Sequence, residues 1–131
     1  MSPPPHPRPH YVTVIAENRE TIDGLHGYLQ NAGVASRTSR ALQDATAVPP
    51  AITAVVLFPD EFDVAQVVKR VSSLRATRPQ LLIVVVTSTP QRFRPALDAD
   101  PNSRLPIVLP KPAFGWTILD AIRVQATSAV P

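Results

Sequence analysis

The segment Leu81-Leu82-Ile83-Val84-Val85-Val86-Thr87 is a run of leucine and β-branched residues with no polar interruption before its last position. A half-exposed strand alternates apolar and polar side chains. A strand that is apolar throughout must be covered on both faces, as at the centre of a parallel sheet. Any fold for this chain therefore has to lay helices above and below that segment. Ile52 to Phe58 is a second strong strand, and it ends on Phe58-Pro59, a bulky aromatic where a buried parallel strand hands the chain to the loop that follows.

The remaining sequence supplies the covering layers. Tyr11 to Ala16 reads as a strand, followed by a helix over Asn18 to Ala32 with Ile22, Leu25, Leu29 and Ala32 on one face and Gly33 as its stop. A short strand near Val34 to Thr38 comes next, then a weak helix over Ala41 to Val48 that Pro49-Pro50 ends. Asp63 is placed to cap a helix, with Gln66 at capping-box spacing and Val64, Val67, Val68, Val71 and Leu74 as its inward stripe. Gln91 to Asp98 is a helix that Pro95 and Pro101 make short or distorted. Leu105 to Leu109 is the last strand and Phe114 to Gln125 the last helix, with Ile118, Leu119 and Ile122 facing inward. Strands alternating with helices in this way predict an α/β domain, a doubly wound five-stranded parallel sheet with helices on both faces.

A chain of 131 residues, 44% of them apolar, is large enough for one such core. The domain is expected over 11–127, with a disordered Pro-rich tail at 1–10 and a short tail at 128–131. No stretch approaches the roughly 18 apolar residues of a membrane span, and the first ten residues lack the apolar block of a signal peptide, so a soluble cytoplasmic protein is expected. The absence of cysteine removes disulfides, thiolate metal sites and thiol nucleophiles together. Thirteen basic residues, eleven of them arginine, against ten acidic ones give a net charge of +3. Lys69, Arg70, Arg75 and Arg78 form one local grouping and Arg92 with Arg94 another, read as solvated helix faces because no aromatic interleaving or reader motif accompanies them. Nucleic-acid contact through the Lys69 to Arg78 helix is disfavoured but stays open.

In open parallel sheets the working groups sit at the carboxyl ends of the strands. Those ends are Ala16-Glu17-Asn18, Phe58-Pro59-Asp60, Thr87-Ser88 and Pro110-Lys111-Pro112. The constellation resembles the receiver domain of bacterial response regulators, over roughly Tyr11 to Gln125. That family has strand order 2-1-3-4-5, an acidic pair after the first strand, a phosphoacceptor aspartate ending the third, Thr or Ser ending the fourth and Lys-Pro after the fifth. The resemblance gives Thr87 the hydroxyl position, Lys111 the phosphate-pairing lysine and Pro112 the proline that follows it. Glu17 falls at the second acidic position, Ala16 at the first and Phe58 at the phosphoacceptor.

The departures fall on the chemistry. A phenyl ring has neither lone pair nor charge, and a magnesium ion wants an oxygen shell that Ala16 and Phe58 do not offer. The degenerate pocket Ala16, Glu17, Phe58, Thr87 and Lys111 is thus expected to hold no catalytic group, metal or cofactor, with Phe58 filling the vacated space and Glu17 pairing with Lys111. Asp60 reads as a loop acid and Asp63 as a helix cap, neither pointing at Lys111. A phosphate-bearing cofactor is disfavoured by the acidic, glycine-free loop Glu17-Asn18-Arg19-Glu20, and Ser-His-Asp hydrolysis by the lack of a Gly-x-Ser-x-Gly elbow. His26 reads as a boundary residue of the first helix.

These residues imply a stand-alone atypical receiver, not an enzyme, that binds protein partners of a bacterial signalling pathway without phosphoryl transfer. A histidine kinase, a downstream effector or a second copy in a homodimer are the partners the resemblance implies. The face it implies comprises Arg92, Phe93, Arg94, Val108, Trp116 and Arg123, with Trp116 as the leading contact. The alternatives are a receiver phosphorylated on a neighbouring acid, a nucleic-acid binder and a small-molecule sensor in the degenerate pocket.

Overall fold

The computed structural model describes residues 10–45 and 48–128. Its sheet runs through β1 (Tyr11–Ile15), β2 (Ala35–Ser39), β3 (Ala54–Leu57), β4 (Leu82–Val86) and β5 (Ile107–Leu109). The helices are α1 (Arg19–Asn31), α2 (Val64–Thr77), the single turn α3 (Arg94–Leu97) and α4 (Gly115–Ser128). All five strands are parallel, in the order β2-β1-β3-β4-β5. The alternation of strands and helices predicted the doubly wound parallel sheet, and the flavodoxin-like strand order is the one the resemblance implied.

Strand parity decides which face each side chain serves. Val12, Val14, Ala54, Val56, Val84 and Val86 point to one face, where Ile22, Leu25 and Leu29 of α1 and Ile118, Leu119 and Ile122 of α4 close over them. Ile15, Val55, Leu57, Ile83 and Val85 point to the other and meet Val67, Val71 and Leu74 of α2 with Phe93 and Ala96. Every residue of β3 and β4 is buried, as the uninterrupted apolar runs required.

Local signals account for the helix ends. The Asn18 side chain accepts from the Thr21 amide at 3.0 Å and caps α1; Asp63 accepts from the Gln66 amide at 3.1 Å and caps α2. At the far end of α1, Gly33 takes φ +78, and the Val34 amide donates to the Leu29 carbonyl at 2.8 Å, the paired closure of a Schellman motif. Ala32 is the cap residue there and is exposed, not part of the inward stripe.

Several elements are shorter than their periodicity suggested. The segment expected as a helix over Ala41 to Val48 keeps only a 3-10 turn, Leu42–Ala45, with 46–47 outside the described residues. Gln91 to Asp98 divides into a 3-10 turn, Pro90–Phe93, and α3, because Pro90 and Pro95 each remove a backbone donor. β5 loses Leu105 and Pro106, and α4 continues beyond Gln125. Of the tails expected at 1–10 and 128–131, residues 1–9 and 129–131 lie outside the described residues, and Ser128 is the last residue of α4.

Candidate functional site

The carboxyl ends of β1, β3, β4 and β5 meet at one edge of the domain. Phe58, directly after β3, keeps the parity of Ala54 and Val56. Its ring therefore packs inward on the α1 and α4 face, only 8% exposed, in the same cluster as Ala16, Leu25, Val86 and Ile118. Phe58 does fill the position with apolar volume, as expected.

The acid that reaches the strand ends is Asp60. Pro59 starts a 3-10 turn over Pro59–Glu61, closed by the Phe62 amide donating to the Pro59 carbonyl at 3.0 Å. This turn folds the chain back over the strand ends instead of carrying it away. Asp60 Oδ1 accepts a short hydrogen bond from the Thr87 hydroxyl. Asp60 Oδ2 accepts from the Ser88 amide and the Ser88 hydroxyl, both at 3.1 Å, and lies 3.3 Å from Lys111 Nζ. Partial burial pushes the Asp60 carboxyl up, but the Thr87 hydroxyl, the Ser88 amide and Lys111 together outweigh it and hold the group below its ordinary value.

Two expectations are corrected here. Lys111 pairs with Asp60, not with Glu17, which is exposed and whose backbone carbonyl accepts from Arg40 Nε at 2.8 Å. Asp60 is not a plain loop acid, because the tight turn at Pro59 returns it to Thr87 and Lys111. Asp63, by contrast, is the helix cap it was read to be. The Lys111-Pro112 peptide bond is cis.

The divalent cation that a receiver pocket implies does not fit these residues. Ala16 and Phe58 present carbon where oxygen ligands are needed, Glu17 is exposed, and the Asp60 carboxylate is already bonded to Thr87, Ser88 and Lys111. Among the described residues no three His, Cys, Asp or Glu side chains gather as a metal-binding group.

The expected partner face is only partly a surface. Arg92, Arg94, Val108, Trp116 and Arg123 are exposed, Trp116 at 61%. Phe93 is not; at 1% exposure it plugs the core beneath α2, because the 3-10 turn that precedes α3 rotates it inward. Phe114, absent from the expected face, is 58% exposed and stacks on Trp116 with ring centroids 6.0 Å apart and planes 4° from parallel. The Phe-Gly-Trp spacing was the available signal. It carried no weight without knowing that Gly115 lies against Tyr28, where a Cβ would come within 2.6 Å of the ring.

Two members of the basic grouping on and just after α2 are engaged within the domain. Arg75 is buried and donates from Nη1 to the carbonyls of Ala96 (2.9 Å) and Asp98 (2.8 Å), tying α3 to α2. Arg78 donates to the carbonyls of Val48, Pro49 and Ile52. Both guanidinium groups hold loops in place, which removes them from any face that a phosphate backbone would meet. His26 is half-buried, with Nδ1 2.6 Å from the Ser36 hydroxyl, a boundary residue as read.

No protein-family model matches the chain, and no curated protein sequence does. Solved structures do match its fold. A response regulator from Thermotoga maritima has 16% identity and a TM-score of 0.69, covering 93% of this chain and 100% of the other. A response regulator receiver domain protein from Clostridium thermocellum has 12% identity and a TM-score of 0.66, covering 91% and 95%. A protein from Burkholderia pseudomallei described as pilus assembly-related has 17% identity and a TM-score of 0.69, covering 93% and 92%. The fold is that of CheY-like receiver domains. Among the described residues no helix is long and apolar enough to cross a membrane.

Proposed function

We propose that this chain is a receiver-fold signalling module that works in the cytoplasm by binding other proteins and takes no phosphoryl group. The observation carrying this reading is the state of the Asp60 carboxylate at the strand ends. Asp60 is bonded to Ser88 and to Thr87 and Lys111, the two groups that would otherwise contact a phosphoryl group, while Phe58 fills the strand terminus. Phosphoryl transfer needs an accessible nucleophile and a cation to offset charge on the moving group. Neither requirement suits a carboxylate that is already neutralised.

The exposed Phe114 and Trp116 pair beside β5 supports recognition as the remaining role, since stacked aromatics of this kind anchor interfaces. A histidine kinase, a downstream effector and a second copy of the chain are the partners this reading admits. The Burkholderia pseudomallei neighbour adds assembly machinery as a second class to test. Incubation with magnesium and acetyl phosphate followed by intact mass measurement should leave the mass unchanged. A magnesium-dependent gain of one phosphoryl group, lost in Asp60→Asn, would overturn the reading.

A further inference from the structure

Beside the Asp60 cluster a cleft of about 660 Å³ opens between α1 and the loop from β5 to α4. Its volume lies within the range of roughly 300–1,000 Å³ typical of small-ligand sites. We propose that this cleft binds a small organic amine with a flat apolar body, the body resting over Phe58 and the protonated nitrogen held by Glu20 and Glu61.

The floor carries the first half of the proposal. Phe58, Leu25, Val86 and Ile118 are all buried core residues that also line the cleft, so its bottom is apolar. A phenyl ring at the end of β3 makes this place suited to hydrocarbon and not to an anion. Phe114, exposed on the opposite wall, adds a second ring. On the α1 side the wall is lowered by Gly24, whose missing Cβ would have no heavy atom within 4 Å. Glycine inside a helix is intrinsically unfavourable, and here it widens the cleft.

The charge at the rim carries the second half. Glu20 and Glu61 line the cleft, and the Glu61 side chain is held at its mouth by the Asn18 amide, which donates to Oε2 at 2.9 Å. Lys111 is the one cation lining the cleft among the described residues, and its charge is offset by Asp60. With Lys111 offset by Asp60, the two lining carboxylates Glu20 and Glu61 leave the cleft locally negative in a chain whose net charge is +3. An anionic ligand would meet Glu20 and Glu61 and would have to displace Asp60 from Lys111. A cation with an apolar body meets none of these costs.

The test uses the full chain, isotope-labelled for amide NMR, with tryptamine as the probe and indole-3-propionate as its anionic counterpart. Tryptamine should produce saturable shifts at Gly24, Glu61 and Phe114, with a dissociation constant on the order of a millimolar. Indole-3-propionate should produce none there. Glu20→Gln combined with Glu61→Gln should weaken tryptamine binding about fivefold. Gly24→Leu, which places a side chain in the cleft at a position where a Cβ meets nothing within 4 Å, should abolish it. Equal binding of amine and carboxylate, no shifts at these amides, or tryptamine affinity unchanged in both variants would each overturn the proposal. Should Gly24→Leu fail to fold, the glutamine pair alone decides.

Discussion

The Asp60 carboxylate and the Lys111 ammonium stand 3.3 Å apart at the carboxyl ends of the sheet, joining the loop after β3 to the loop after β5. Thr87 and Ser88, at the end of β4, bond the same carboxylate. One side chain therefore ties together three loops that the sheet alone would leave independent. Removing the charge with Asp60→Asn is expected to cost about 1–2 kcal/mol, since hydrogen bonds to a charged group are worth more than neutral ones but this one is partly solvated. Lys111→Met should cost less, because the lysine side chain is 36% exposed. Urea denaturation of both single variants and the double variant gives the coupling, expected at about 0.5–1 kcal/mol. A coupling of zero would mean that the two groups do not interact in solution.

The same contacts set a pH dependence. The folded state holds the Asp60 carboxyl below its ordinary value of 3.8, so the folded protein prefers the ionised form. The stability this contributes is fully present above 3.8 and is lost as pH falls through the lower folded value. The gap in stability between the wild type and Asp60→Asn should therefore be constant from about pH 7 to about pH 5 and narrow in more acid solution. A gap that widens as pH falls would contradict the assignment of these hydrogen bonds.

Phe58 is a core residue at the edge of the working end. Phe58→Ala is expected to destabilise by about 3 kcal/mol, from lost transfer free energy and the cavity left over Leu25 and Ile118. Phe58→Asp should be worse, because a carboxylate would enter an apolar cluster while Asp60 already occupies Lys111. Placing an acid at this position should not by itself give phosphorylation. Thermal melts give the first result, and intact mass after acetyl phosphate treatment gives the second; a phosphoryl adduct on Phe58→Asp alone would show that Asp60 yields its place readily.

The sheet was legible because parity and uninterrupted apolar runs are local properties, and Leu81 to Thr87 left no choice but a covered strand. Thr87, Lys111 and Phe58 were placed by their positions at strand ends, which follow directly from the strands. Asp60 was misread because a single residue, Pro59, starts a turn that folds back on itself, and the side-chain direction after such a turn is set by tertiary contacts. Phe93 failed for a related reason: Pro90 and Pro95 broke the expected helix, and the remaining 3-10 turn has a different facial period. Arg75 looked like surface charge because the carbonyls that bury it, those of Ala96 and Asp98, belong to a distant segment.

Gly115 is where α4 approaches α1. A Cβ there would lie 2.6 Å from Tyr28 Cγ and 3.0 Å from Tyr28 Cβ, atoms too near the α1 backbone to swing aside. Gly115→Ala is expected to cost about 1–3 kcal/mol despite the higher helix propensity of alanine. Tyr28→Ala in the same background should recover much of that loss. Chemical denaturation of the two single variants and the pair checks this, and additive losses would exclude the steric explanation.

Trp116 separates a contact residue from a packing residue. Its ring is 61% exposed and its described ring contact is with Phe114, itself 58% exposed, so neither side chain holds the core together. Trp116→Ala should therefore change stability by no more than about 0.5 kcal/mol, the range of ordinary surface substitutions. If the pair is an interface anchor, the same substitution should weaken partner binding by about 2 kcal/mol or more, roughly thirtyfold. Melting temperature and titration against a partner recovered with the wild-type chain provide the two measurements. A large loss of stability would place Trp116 in the packing of its own domain, and unchanged affinity with unchanged stability would remove the aromatic pair from the recognition surface.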